Sequence, residues 1–166
     1  MDLAIAIEGV YIPAGMRVTK EPIKAAESSE YGAASFALND SPILFRIAKT
    51  TPTKVGQFVT LWKRACPKAP ITPFDESDEI AFVIVNVCDG ASKGQFIFDQ
   101  EILLKKGIFS KSMKGGKLAF RLYAPSTHPT SKMAIKTQEW QRPYFLPFMP
   151  GENVDLSKVR SLLKRA

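Results

Sequence analysis

Apolar and polar positions recur along the chain with periods that name its elements. Residues 80–87 are apolar apart from Asn86, a run of a strand's length. Such a run predicts a central strand covered on both faces. Residues 43–49 alternate instead: Ile43, Phe45 and Ile47 fall on one face, Leu44, Arg46 and Ala48 on the other. Residues 31–38 alternate with shorter side chains, and residues 39–42 form a turn by composition. A two-residue turn at Asp40-Ser41 sets Leu38 against Ile43, Phe36 against Phe45 and Ala34 against Ile47. This register gathers the large apolar groups on one face. It also brings Glu30 and Lys49 to that face, one diagonal step apart at the open end of the hairpin.

Residues 51–64 read as a helix, with Thr51 as N-cap, Pro52 in the first turn and Val55, Phe58, Val59 and Trp62 at helical spacing. A short helix over 2–8 starts at Asp2 and stops at Gly9. Residues 17–26 contain Pro22 and suit an edge or irregular strand. Further on come a strand at 94–98, a helix at 100–106 ended by Gly107, a strand at 117–123 and a helix over 131–145 interrupted by Pro143. A linker over 147–151 precedes a terminal helix at 156–164. Interleaved strands and helices predict a single α/β domain with a central mixed β-sheet flanked by helices. The domain is expected over 1–148, with 149–166 as C-terminal linker and short helix. Helix, three meandering strands, helix, strand is the order of the restriction-endonuclease-like fold.

Composition narrows the classes. A chain of 166 residues folds as one domain without a disulfide or metal staple. Cys66 and Cys88 lie far apart without metal spacing and are expected as free thiols. The longest apolar runs are far short of a membrane span, and the first residues carry Asp2 and Glu8 rather than a basic segment. The expected location is the cytoplasm. Net charge is +7. From Lys105 to Arg142 stand nine basic residues (Lys105, Lys106, Lys111, Lys114, Lys117, Arg121, Lys132, Lys136 and Arg142) against the single acid Glu139. That asymmetry favours nucleic acid or another polyanion. The acidic run at 75–79 and the terminal helix offer a surface for an unidentified protein partner.

Chemistry concentrates in residues 30–64. Glu30, Arg46, Lys49, Lys54 and Gln57 are expected to line a polar groove at the hairpin mouth. In the nuclease-like order, one carboxylate and an acid-x-Lys pair hold Mg²⁺. Here Ile47-Ala48-Lys49 keeps the lysine and lacks the acid. Glu30 is the candidate metal ligand, and Glu30 with Lys49 the candidate catalytic pair. A second acid would have to come from Glu27, Asp75, Asp78 or Glu79. Without one, Glu30 and Lys49 make an ion pair that closes the hairpin. Arg46, Lys54 and Arg64 suit phosphate neutralisation. Trp62 and Trp140 suit either base stacking or packing. His128, beside Pro129, reads as a loop residue.

The segments ESSEYGAASF (27–36), FRIAKTTPTKVGQFVTLWKR (45–64), PFDESD (73–78), GQFIF (94–98), RLYAPS (121–126) and KTQEWQRPYF (136–145) resemble, in this order, the MepB family of small bacterial proteins. The resemblance covers residues 11–145. It implies a nuclease-like fold, an association of some members with multidrug-efflux operons, and no assigned activity. The family's recurring polar positions fall on Glu27, Glu30, Arg46, Lys49, Lys54, Gln57, Trp62, Gln95, Arg121, Gln138 and Trp140.

Overall fold

The structure, a computed structural model, describes residues 2–164. Helix α1 (Leu3–Ala6) starts at Asp2, whose side chain accepts from the Ile5 amide, and runs into a π-helical turn (Ile7–Tyr11). Strand β1 (Val18–Lys24) precedes the hairpin of β2 (Ala34–Leu38) and β3 (Ser41–Ile47). Four short strands follow: β4 (Lys49–Thr50), β5 (Gln57–Thr60), β6 (Lys63–Arg64) and β7 (Ile71–Thr72). A second hairpin joins β8 (Phe82–Asp89) to β9 (Ser92–Asp99). The chain ends with α2 (Gln100–Lys105), β10 (Ala119–Leu122), α3 (Lys132–Gln141), β11 (Phe145–Pro147) and α4 (Leu156–Leu162).

The main sheet has the order β1-β2-β3-β8-β9-β11. It is mixed: β3 and β8 run parallel, and the other neighbours are antiparallel. Its centre is the apolar run seen in the sequence, with residues 82–87 all buried. On one face Phe36, Leu38, Ile43, Phe45, Phe82, Ile84 and Ile97 pack against Leu3, Val10 and Tyr11, and against Val159 and Leu163 at the C-terminal helix. On the other, Leu44, Val83, Val85, Phe96 and Phe98 meet Val59, Leu61, Leu103, Phe109 and Phe120. Each fully buried aliphatic or aromatic side chain there contributes about 1.5–3 kcal/mol. The second layer is a small sheet, β10-β5-β4, beside the two-stranded ladder β6-β7. Strand β1 is an edge with register shifts, as Pro22 demands. Among the described residues no helix is long and apolar enough to cross a membrane.

Four expectations need correction. The hairpin turn is Asn39-Asp40, so Leu38 pairs with Ser41, Phe36 with Ile43 and Ala34 with Phe45. Asn39 and Asp40 take φ of +47° and +66°, which these two residue types tolerate better than Ser41 would. The pairing moves by two positions, so the side chains of β2 and β3 keep their predicted faces.

The helix predicted over 51–64 is absent. Residues 52–56 are bends and residues 57–60 form β5. Gly56 has φ +84° and sits against Tyr123, where an added Cβ would come within 2.9 Å of the ring. Beyond it the buried positions are Gln57, Val59 and Leu61, a period of two. Helical spacing of Val55, Phe58, Val59 and Trp62 fits the same letters, but Val55 and Trp62 lie outside the strand. The helix on which the nuclease-like order rested is therefore a strand of the second sheet.

Gly9 does not stop the first helix. It lies inside the π-helical turn, with the Phe148 ring packed on it, 2.9 Å from where a Cβ would stand. The predicted helix over 131–145 ends at Gln141; a 3-10 turn (Arg142–Tyr144) carries Pro143 and releases the chain into β11.

Candidate functional site

The hairpin mouth does not gather its polar residues into one groove. β2 begins only at Ala34, and residues 29–31 form a 3-10 turn that leaves Glu30 exposed. Lys49 belongs to the second sheet, opposite Phe58, and its ammonium lies 5.3 Å above the Tyr31 ring. Among the described residues the two make no ion pair. Lys54 is exposed in a separate depression beside Asp89 and His128.

The acids that would complete a metal site are engaged elsewhere. Asp75 is buried; its carboxylate accepts from the Ser110 hydroxyl (2.7 Å), the Ser77 hydroxyl (2.7 Å) and amide (3.0 Å), and the Met113 amide (2.9 Å). The Ser110 hydrogen bond first, then those from Ser77 and Met113, hold this carboxyl well below the usual carboxylate range. Asp78 binds the Lys63 ammonium at 2.7 Å and the Asp75 amide at 2.7 Å. Glu27 pairs with Arg64. Among the described residues no three His, Cys, Asp or Glu side chains cluster as metal ligands.

Four glutamines are structural. Gln57 is buried and binds the Cys88 backbone twice. Gln95 accepts from Tyr11 Oη at 2.7 Å and donates to Asn86 at 2.6 Å inside the first core. Burial raises the Tyr11 phenol far above its ordinary range despite that hydrogen bond. Gln138 donates to the carbonyls of Ala124 and Thr127, and Gln141 to that of Arg121 while accepting from the Tyr123 amide. The sequence marks these positions as polar but carries no sign that they are buried.

Two concave surfaces each gather more than one of the candidate residues. The first opens between α2, β10 and α3, with a volume of about 450 Å³. Lys106, Lys117, Arg121, Tyr123 and Trp140 line it. The Lys106 ammonium stands 5.7 Å over the Trp140 ring, whose other contacts include Phe98 at 5.5 Å. Arg121 reaches across β5, stacks on Phe58 at 5.6 Å and donates to Thr51 Oγ1 at 2.7 Å. Lys106 and Lys117 are exposed, as are Lys105, Lys111, Lys114, Lys132, Lys136 and Arg142. Of these lining residues, the sequence singles out Arg121 and Trp140; Lys106 and Lys117 are visible in it only within the charge asymmetry.

The second cavity, about 640 Å³, lies between β2, β3 and the β6–β7 segment. It brings together Glu27, Arg46, Trp62 and Arg64. The Arg64 guanidinium binds both Glu27 carboxylate oxygens (3.0 and 3.2 Å) and the Ala69 carbonyl, and stacks on Trp62 at 5.4 Å. Arg46 is only 5% exposed and donates from Nη1 to the Phe45 carbonyl at 2.8 Å. Burial lowers its ordinary value of 12.5 to about 10.

The family model described as MepB-like matches residues 25–147. A solved structure, the crystal structure of MepB, superposes with a TM-score of 0.72 at 33% sequence identity, covering 77% of this chain and 85% of that one. No curated protein matches.

Proposed function

The chain belongs to the MepB-like family, and from its surface chemistry we propose that it binds nucleic acid, or a like polyanion, in the cleft between α2, β10 and α3. One observation carries this reading: the exposed lysines Lys106 and Lys117 share a single cleft with the Trp140 indole. Cations neutralise phosphates and release counterions, and an aromatic face within reach takes an unpaired base. Lys105, Lys132, Lys136 and Arg142 extend the positive charge around the cleft along the same elements. Single-stranded substrate suits it better than duplex, because Trp140 offers a stacking wall rather than a helix presented to a groove. The free thiols of Cys66 and Cys88 fit a reducing cytoplasm.

The reading is one of binding. Cleavage by a metal-dependent route draws no support from Ile47 in the acid-x-Lys position, nor from Asp75 and Asp78, which are committed to the 75–79 turn and its neighbours. Fluorescence anisotropy of a labelled single-stranded oligonucleotide, titrated over a salt series, tests the proposal. Affinity that falls steeply with salt, and falls again in Lys106→Glu, supports it. Absence of binding at low salt, or affinity indifferent to salt, overturns it.

A further inference from the structure

The Arg46 cavity shares no lining residue with the basic cleft and presents a different chemistry. Arg46 projects from β3 into it, and the guanidinium is buried. Its Nη1 hydrogen bond to Phe45 fixes the plane, while Nε has no hydrogen-bond partner. Among the described residues no carboxylate lies within salt-bridge distance of Arg46. The other two cations of the lining are spoken for: Arg64 by Glu27, Lys63 by Asp78. One positive charge is left uncompensated at the base of a concave site.

Burying an arginine without an anion is unfavourable, and a methionine of similar length would fill the space. The remaining walls include Leu44, Phe74, Pro67 and the half-buried Trp62, with the hydroxyls of Ser28 and Ser35 beside them. The volume is that of a small-molecule site. We propose that this cavity binds a small organic acid, one carboxylate or phosphate group on an apolar, planar body. The oxyanion sits on the part of the Arg46 guanidinium that lines the cavity, and the body lies against Trp62 and Phe74. One net charge in the site matches one acid group on the ligand.

Two endogenous reporters sit in the right places. The chain has two tryptophans, so Trp140→Phe leaves Trp62 as the sole emitter. Cys66 lines the cavity, and the other exposed thiol, Cys88, lies outside it. The full chain is titrated with benzoate, phenyl phosphate and, as the uncharged control, benzyl alcohol. Iodoacetamide alkylation of both thiols is followed by mass spectrometry. At least one acid should give a saturable change in Trp62 emission and slow alkylation of Cys66 but not of Cys88. Benzyl alcohol should do neither; preference between the acids identifies carboxylate or phosphate.

Arg46→Met should weaken the acid about tenfold or more, the loss of a charge-assisted hydrogen bond. Arg46→Lys, which keeps the charge but not the fork, should fall between it and the native protein. The proposal is overturned if neither acid protects Cys66 up to about 10 mM, well above a millimolar site. It is equally overturned if either Arg46 variant that folds binds as the native protein does. Protection of Cys66 by an oligonucleotide, with none by the small acids, assigns the cavity to nucleic acid instead and sinks the proposal.

Discussion

The side chain of Gln57 treats Cys88 as one strand treats another: Nε2 donates to the Cys88 carbonyl at 2.8 Å and Oε1 accepts from the Cys88 amide at 3.2 Å. β3 leaves the main sheet after the Ala48 amide bonds the Asn86 carbonyl, so β8 runs on without that neighbour. Gln57 continues the ladder where the backbone has departed, and in doing so joins the second sheet to the first. Gln57→Ala should therefore cost about 2–4 kcal/mol, since it strands a donor and an acceptor together. Urea unfolding reads this directly. A loss below about 0.5 kcal/mol, typical of a surface substitution, would mean that water replaces the amide.

Arg46→Met should change stability in the opposite direction. Arg46 is charged in both folded and unfolded chains at neutral pH, because even its lowered value of about 10 lies well above 7. Its depressed value makes stability rise as pH climbs through about 10 toward 12.5, and leaves the whole burial penalty in force at pH 7. Replacing the unpaired cation by an apolar side chain should stabilise the ligand-free protein by about 1–3 kcal/mol. The check is the thermal midpoint without added anions.

Asp75 ties the turn at 75–79 to the loop at 110–113, where Ser112 and Met113 both have positive φ. Its carboxyl is held below the ordinary range, so its contribution is present above about pH 4 and is lost as pH falls further. Hydrogen-exchange protection of the Met113 amide should drop as pH is lowered from about 5 to about 2. Asp75→Asn should loosen the same amide at pH 7 and remove the pH dependence.

Removing one phosphate-neutralising cation from the basic cleft should flatten the salt dependence of single-strand binding by about 0.7 in log–log slope. Lys106→Glu and Lys117→Glu are thus expected to lower the slope and weaken binding without affecting the unfolding midpoint, since both side chains are exposed. Trp140→Phe, by contrast, should reduce affinity with the slope intact.

The central sheet is legible in the sequence because burial leaves its mark on both faces of a strand. Residues 82–87 have no polar side to present apart from Asn86, and the alternation of 43–47 survives even a wrong turn assignment. Residues 57–60 mislead because Val59 belongs to both a period of two and a period of 3.6, and only Gly56 against Tyr123 decides between them. The site is less legible still. Gln57, Gln95, Gln138 and Gln141 are buried by partners distant in sequence, such as Cys88 and Tyr11, and no local pattern foretells a side chain that binds backbone. Gly9 misleads for the same reason: its neighbour, Phe148, lies at the other end of the chain. Gly9→Ala should accordingly destabilise by about 1–3 kcal/mol through overpacking against the buried Phe148, where helix propensity alone predicts a gain.

Gln141 has a consequence for how copies of this protein behave at high concentration. It occupies the outward carbonyl of Arg121 on β10, the outer strand of the small sheet, and the amide of Tyr123 just past its end. The main sheet is blunted too, by Pro22, Lys20, Lys24 and register shifts in β1 on one side and by a strand of three residues, β11, on the other. An incoming strand meets an interrupted or short ladder at these margins. Gln141, which fastens α3 to the small sheet, also blunts the outer margin of that sheet.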